Sequence, residues 1–573
     1  MTIPTRSISA PLALLFASIL FVTPAATQGP VRVDIHDPAL NQGPKKEATG
    51  DKVMVSTQLP VVTETALKVL REGGNAVDAM IASVFVQHVH DYHQVSHFGA
   101  MSAIGYDAKS NKYWAINAVS MRPLAERGEH GDASKVAIGG VVRGLEALGK
   151  KYGTRSWASY LQPGIKAAEE GAIVTTFMFG INYNSWETDT LLKNNPEAAK
   201  FYMPDGHLVP VGQRWKMPAL AAHMRKLADQ GADYMYTGEW AQKFVKEANR
   251  RGGRVTMQDM AEYQPIWDEP TKFTYRGRKI YGSPPPDTGG PVVGYNLTVL
   301  ENFDLKKMGH YAKSTDTLEI MARVAGRAEA ETRLAIVDPL NFKVPTDLWI
   351  SKDYGRMGAE FVRNTMPKVN LGAATTTAAL ARPGPLFPSV DGQDAEDLGS
   401  NHNVIVDAEG NWVSMLHTGH GGAPDVLIDG VKATGSTARA FTKGPGRRLV
   451  LPITAIIIAG QDGKPWLAMG TPGSPPQPIT QVLVNILDFD MHPGEAADAP
   501  RFWAFRGNEQ AIEIESRITK ETKDGLTARG ITVKDLGPYN WHTGSMQIVW
   551  RDQATGRLRG VTDPRRLGLA AGF

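Results

Sequence analysis

The sequence predicts a mixed α/β fold, and three observations carry that prediction. Val62, Ala66, Leu67, Val69 and Leu70 recur at helical spacing, whereas residues 101–106 and 113–118 alternate like paired strands around a polar turn. After residue 400, short apolar runs separated by glycine-rich turns take over. The 573 residues are 42% hydrophobic and 21% charged, which excludes disorder, collagen and coiled coil as descriptions of the whole. Basic and acidic residues nearly cancel, 62 against 59, with no basic stripe, so no nucleic-acid partner is expected. Cysteine is absent, which removes disulfides, thiol nucleophiles and Cys-based metal centres.

Residues 1–26 read as a secretory signal. Arg6 supplies the positive start, residues 12–22 (LALLFASILFV) an apolar core, and Thr23-Pro-Ala-Ala26 the small cleavage region. The core has about half the roughly 20 residues a membrane span needs. A periplasmic or secreted protein is therefore expected, with no membrane attachment once the signal is removed.

The first helix is expected to stop at Gly73-Gly74, after which Asn75 can cap a second, with Asp78 three residues on as in a capping box. Mixed helices and loops follow from about 144 to 270. Gly282-Ser-Pro-Pro-Pro-Asp-Thr-Gly-Gly290 must be a rigid loop, because proline donates no ladder bond. More helix is expected to about 365. Residues 371–399, rich in Ala, Thr, Pro and Gly with an acidic end, read as an exposed linker. Strands are expected at 403–407, 412–417, 449–459 and 465–469.

The hairpin after the linker is the most informative segment. Glu409-Gly410-Asn411 signals a turn between two β-rich runs. Pairing Asp407 with Asn411 sets Ser400 opposite Thr418 at the open end, and a one-residue change in loop length would set it opposite His417 or Gly419 instead. From spacing alone this also reads as a plain surface hairpin. The chemistry supports a sharper reading. A serine hydroxyl needs a base to become nucleophilic, and a cut between Gly399 and Ser400 would create one, an α-amine of pKa about 7.7–8.0, on the same residue. Thr418 could orient the hydroxyl. Further on, Gly470-Thr-Pro-Gly-Ser474 follows a predicted strand, and its backbone N–H groups suit an oxyanion hole.

These pieces resemble the gamma-glutamyltranspeptidase family. The matching stretches include Gly73-Gly-Asn-Ala-Val-Asp-Ala79, Lys151-Tyr-Gly-Thr154 with Gln162-Pro163, and the loop at 284–290. Leu300-Glu-Asn-Phe-Asp304, Asp338-Pro339, Phe342-Lys-Val-Pro345 and Ile350-Ser-Lys-Asp-Tyr354 continue it. Val406-Asp407 with Gly410-Asn411, residues 470–474 and Asp498-Ala-Pro-Arg501 complete it. The resemblance implies a four-layer αββα N-terminal nucleophile hydrolase sandwich. The precursor would cut itself into a large chain, 27–399, and a small chain, 400–573, that stay together. It further implies Ser400 as nucleophile, in place of the family's threonine, and Thr418 as its support. Gly473 and Ser474 would be the oxyanion donors. No cofactor or metal is implied; the partner is a small-molecule amide.

The departures concern the acyl group. Val119 stands where the family has an arginine for the glutamyl carboxylate, and Arg122 lies three residues along. Gly435-Ser-Thr-Ala-Arg-Ala-Phe441 lacks the family's acid, with Ala438 mid-segment, and Leu449-Val-Leu-Pro-Ile-Thr454 is aliphatic where the family has paired serines. A zwitterion's head group left unpaired in a buried site costs several kcal/mol. An acyl group less polar than glutamyl is therefore expected, or one whose single anionic group is read by Arg122 or by a histidine. His97, His402, His417 and His420 lie in segments expected near Ser400.

Three alternatives stand beside this reading. One is a true gamma-glutamyl transferase or glutathione hydrolase. Another is a metal-dependent hydrolase using His88, His90, His93 and His97, four of the 14 histidines in one short window. The third is a non-catalytic binding protein on the same fold.

Overall fold

The computed structural model describes residues 45–124, 136–184, 195–250, 253–332, 335–366, 399–419, 426–433, 446–473, 476–504 and 511–573. The proposed signal and the linker up to residue 398 lie outside the described residues. No helix among the described residues is long and apolar enough to cross a membrane.

Two seven-stranded sheets form the centre. The first runs, in spatial order, Leu569–Gly572, Met54–Thr57, Asn401–Val406, Trp412–Thr418, Ala100–Asp107, Lys112–Ala118 and Ile266–Asp268. The second runs Ala48–Gly50, Leu558–Thr562, Gln547–Arg551, Pro465–Gly470, Ala455–Ala459, Arg278–Gly282 and Thr271–Tyr275.

Period-two alternation splits each strand between two cores. From the first sheet, Ile405, Val413, Met415 and Met101 pack against helices that include Pro60–Arg71 and Ala76–His90. Val404, Val406, Trp412, Ile104 and Tyr106 instead meet Ala455, Ile457, Ala468 and Val549 of the second sheet. The second sheet's other face, Ile456, Ile458, Leu467, Met469 and Ile548, packs on Gly289–Leu300, Thr315–Thr332 and Pro476–Leu487. The result is a four-layer αββα sandwich. The helix Ala76–His90 is apolar nearly all round because it is enclosed between sheet and helices, and its start carries the expected capping box of Asn75 and Asp78.

One expected strand is shorter than its sequence suggests. The strand covers Ala455–Ala459 alone; Pro452 cannot donate to a ladder, and residues 449–451 instead make single bonds to other segments, Leu449 N to Ser120 O and Leu451 O from Thr288 N.

Candidate active site

The hairpin register agrees with the expectation. Asn401 pairs with His417 through to Val406 with Trp412, which continues to Ser400 opposite Thr418. Alternation carries Ser400, like His402 and Val404, toward the space between the sheets. Ser400 is half-buried and Thr418 buried at the hairpin's open end. The Thr418 hydroxyl donates to the carbonyl oxygen of Gly399 at 3.2 Å, the carbonyl of the Gly399–Ser400 peptide itself.

Gly399 has φ +98°, and a Cβ there would stand 1.9 Å from Gln94 Oε1. Only glycine fits this conformation beside that amide. Gln94 Nε2 donates to both Asp91 oxygens at 2.9 and 3.0 Å, its backbone oxygen accepts from Gly419 N at 2.9 Å, and its Oε1 accepts from Arg566 Nη1 at 2.7 Å. Arg566 Nη1 also donates to Ser400 O at 3.3 Å. Burial pushes the Asp91 carboxyl up to about 6, against the lowering pull of its hydrogen bonds to Gln94 and Asn401. Gln94, Asp91 and Arg566 were missed from sequence: they are distant in the chain, and no local pattern marks them.

Gly473 lies in the turn after Pro465–Gly470, with φ +88° and space for a Cβ only 3.0 Å from His542 O. The turn is braced by Ser545 N, which donates to Thr471 Oγ1 at 2.6 Å. Buried Arg501 donates to the Thr543 and Gly544 carbonyls, each at 3.0 Å, behind the same turn. Ser474, His420 and Ala438 lie outside the described residues.

Thr418 pairs with Ala100, and Ala100 joins Val119, Leu416 and Ile453 in a buried apolar cluster with Leu451 packed against it. Ala137 and Leu449 extend it through Leu451. The loop after Gly282 backs this wall: Thr288 N donates to Leu451 O, and fully buried Asp287 lies by Ser102 and Asn117, where burial holds its carboxyl well above the usual range. Arg122 is half-buried, and its Nη2 donates to Gly446 O at 2.6 Å.

Several histidine expectations are corrected. His402 is fully buried between the sheets, its Nε2 2.9 Å from Ser414 Oγ, and a Cβ on Gly470 would stand 2.3 Å from that nitrogen. The ring fills the sandwich and is not a substrate contact. His417 and His97 point the other way, into the helix layer. His417 Nδ1 is 3.3 Å from His88 Nε2 and its Nε2 is 3.0 Å from Gln87 Oε1. The His97 ring packs against His88, His223 and Phe85. Burial lowers His97, His402 and His417 to about 3, so these rings are held neutral and offer an anion no positive charge. Among the described residues no group of three His, Asp or Glu side chains is arranged to hold a metal ion.

The comparisons agree with this geometry. The family model described as gamma-glutamyltranspeptidase matches residues 62–573. The chain belongs to that family. It is 27% identical to the glutathione hydrolase proenzyme of Escherichia coli strain K12, over 98% of each chain. It is 29% identical to the acylase ACY 1 proenzyme of Pseudomonas sp. strain SE83, over 85% of this chain and 88% of that one. The cephalosporin acylase structure from Bacillus halodurans superposes with a TM-score of 0.78 at 23% identity, over 92% of this chain and 97% of that one, sharing the fold. The fold is that of the N-terminal nucleophile hydrolases, and the relatives support amidohydrolase activity.

Proposed function

We propose that this protein is an exported, self-processing amidohydrolase or acyltransferase whose nucleophile is Ser400. The observation that carries the reading is the Thr418 hydroxyl donating to the Gly399 carbonyl, one bond from the Ser400 nitrogen. In maturation, Ser400 Oγ attacks the Gly399 carbonyl carbon and loses its proton, and negative charge collects on the oxygen that Thr418 already binds. The C–N bond breaks and the nitrogen takes a proton, leaving an ester that water hydrolyses. Gly399 then ends the large chain as a carboxylate, and the Ser400 α-amine begins the small one. The proenzyme relatives support this course.

In turnover the α-amine accepts the Ser400 proton as Oγ attacks a substrate amide. The amides of Gly473 and Ser474 are the donors for the resulting oxyanion. The amine returns its proton to the leaving group, and water or an acceptor amine releases the acyl group.

The apolar wall of Ala100, Val119, Leu416, Ile453 and Leu451 supports an acyl group less polar than glutamyl. Arg122, on the same segment as Val119, is the candidate contact for a polar end, with His420 beyond the supporting threonine. A panel of nitroanilides carrying gamma-glutamyl, glutaryl, aliphatic and aryl acyl groups tests this. Preferred cleavage of the less polar acyl groups is expected. Efficient cleavage of gamma-glutamyl-nitroanilide with weak cleavage of the rest would overturn the specificity. That outcome would favour the second reading, glutathione hydrolysis, which the full-length match to the Escherichia coli enzyme supports.

A further inference from the structure

We propose that Arg566 is a positioning residue for Ser400: held by Gln94, its guanidinium fixes the Ser400 backbone and makes the α-amine exposed by cleavage a weaker base. The inference rests on the proposed cut before Ser400 and goes beyond it, assigning a role to a residue near the far end of the chain.

The guanidinium is tightly held. It is 3% exposed and lies 5.1 Å from the Trp541 ring centroid and 5.4 Å from that of Phe177. Its Nη2 donates to Trp541 O at 3.5 Å, while Nη1 is shared between Gln94 Oε1 and Ser400 O. Gln94 touches both sides of the hairpin mouth, since Gly419 N donates to its backbone and Gly399 abuts its side chain. Arg566 and Gln94 therefore hold the Ser400 carbonyl where it is, before and after the neighbouring peptide is cut.

Within one residue the carbonyl oxygen and the nitrogen are about 3 Å apart. A cation 3.3 Å from Ser400 O thus stands roughly 3–6 Å from the new amine. A like charge this close disfavours the ammonium form. The other charges facing the site do not cancel it. Among the described residues Asp91 is the nearby acid, and both its oxygens accept from Gln94. Lys432, whose Nζ donates to His93 O at 2.9 Å, adds a second buried cation. His93, His402 and His417 are held neutral by burial. Arg565, next to Arg566, and the equally buried Arg501 are together matched by Glu515 and Asp563. With Asp91 ionised the described groups still leave one net positive charge, and more when it is protonated. The amine is therefore free base at neutral pH, as a proton acceptor must be.

The test is the pH profile of kcat/KM for wild type, Arg566→Gln and Arg566→Lys, each first shown by mass spectrometry to contain a chain beginning at Ser400. Arg566→Gln is expected to move the acidic limb up by about one pH unit, and Arg566→Lys to restore most of it. A merely structural residue would change rates without moving the limb. A processed Arg566→Gln enzyme with an unmoved limb overturns the inference. Should Arg566→Gln fail to mature, the wild-type amine is titrated by pH-dependent acetylation. A pKa below 7 is expected, and one at the ordinary 7.7–8.0 overturns the proposal. A wild-type protein that stays one chain would instead remove the underlying reading.

Discussion

Replacing Thr418 by valine keeps the shape of the side chain and deletes the hydroxyl that donates to the Gly399 carbonyl at 3.2 Å. In the resting precursor that bond is neutral and contributes about 0.5–1.5 kcal/mol. As Ser400 attacks, the acceptor becomes an oxyanion, and a donor to such an oxygen is worth about 2.7–4 kcal/mol. The difference, about 2–3 kcal/mol, exists only in the transition state, so self-cleavage of Thr418→Val should slow about 30- to 150-fold. Thr418→Ser, which keeps the hydroxyl, should process far faster than the valine variant. The assay is a time course of freshly made precursor on a denaturing gel, with circular dichroism confirming that the fold is intact. Turnover of matured Thr418→Val should also fall, because the lost hydroxyl no longer orients Ser400. A valine variant that processes at the wild-type rate would refute the reasoning.

Gly399→Ala meets both a positive φ and Gln94 Oε1 at 1.9 Å. The left-handed backbone alone costs about 1–2 kcal/mol, so processing should slow about tenfold or more on the same gel; an unchanged rate would contradict the observed fit. Gly470→Ala places a Cβ 2.3 Å from His402 Nε2 in a filled sandwich. It should cost about 1–3 kcal/mol, read as a lowered urea midpoint, and an unchanged midpoint would mean the ring is free to move. The buried histidines set a pH dependence. His97, His402 and His417 titrate at about 3 in the folded state, against about 6.5 unfolded. The unfolded chain therefore binds their protons first as pH falls. Stability should be full above pH 6.5 and decline from there toward pH 3, by on the order of 1–2 kcal/mol per histidine at pH 5. Asp91, raised to about 6, and Asp287 and Asp488, also raised by burial, act in the opposite sense, but burial lowers His88, His93 and His223 as well and the histidines outnumber them. A urea midpoint at pH 5 equal to or above that at pH 7 would refute this.

Much of the fold was legible because its signals are local. Asn75 and Asp78 announce a helix start, and the Glu409-Gly410-Asn411 turn fixes a register that carries Ser400 to Thr418, seven residues beyond the Asp407–Asn411 pair, through unbroken alternation. The face on which a histidine sits follows from the same alternation. His402 and His417 differ in parity along the paired strands, so one enters the sheet–sheet layer and the other the helix layer, and sequence proximity to Ser400 gave no guide to function. The aliphatic character of Val119, Leu449 and Leu451 was visible in the sequence, and the structure adds that they lie in adjoining clusters linked by Leu451. What was not legible is the set of contacts made across the chain. Arg566 reaches Gln94, 472 residues away, through tertiary packing that no spacing rule encodes.

The most direct test of the central claim is the mass and N-terminal sequence of the small chain, from wild type and Ser400→Ala made side by side. Wild type should yield two chains, the smaller beginning Ser-Asn-His-Asn, and Ser400→Ala should remain a single inactive chain. A Ser400→Ala protein that matures normally and cleaves the same amides as wild type would contradict the assignment of Ser400 as the nucleophile.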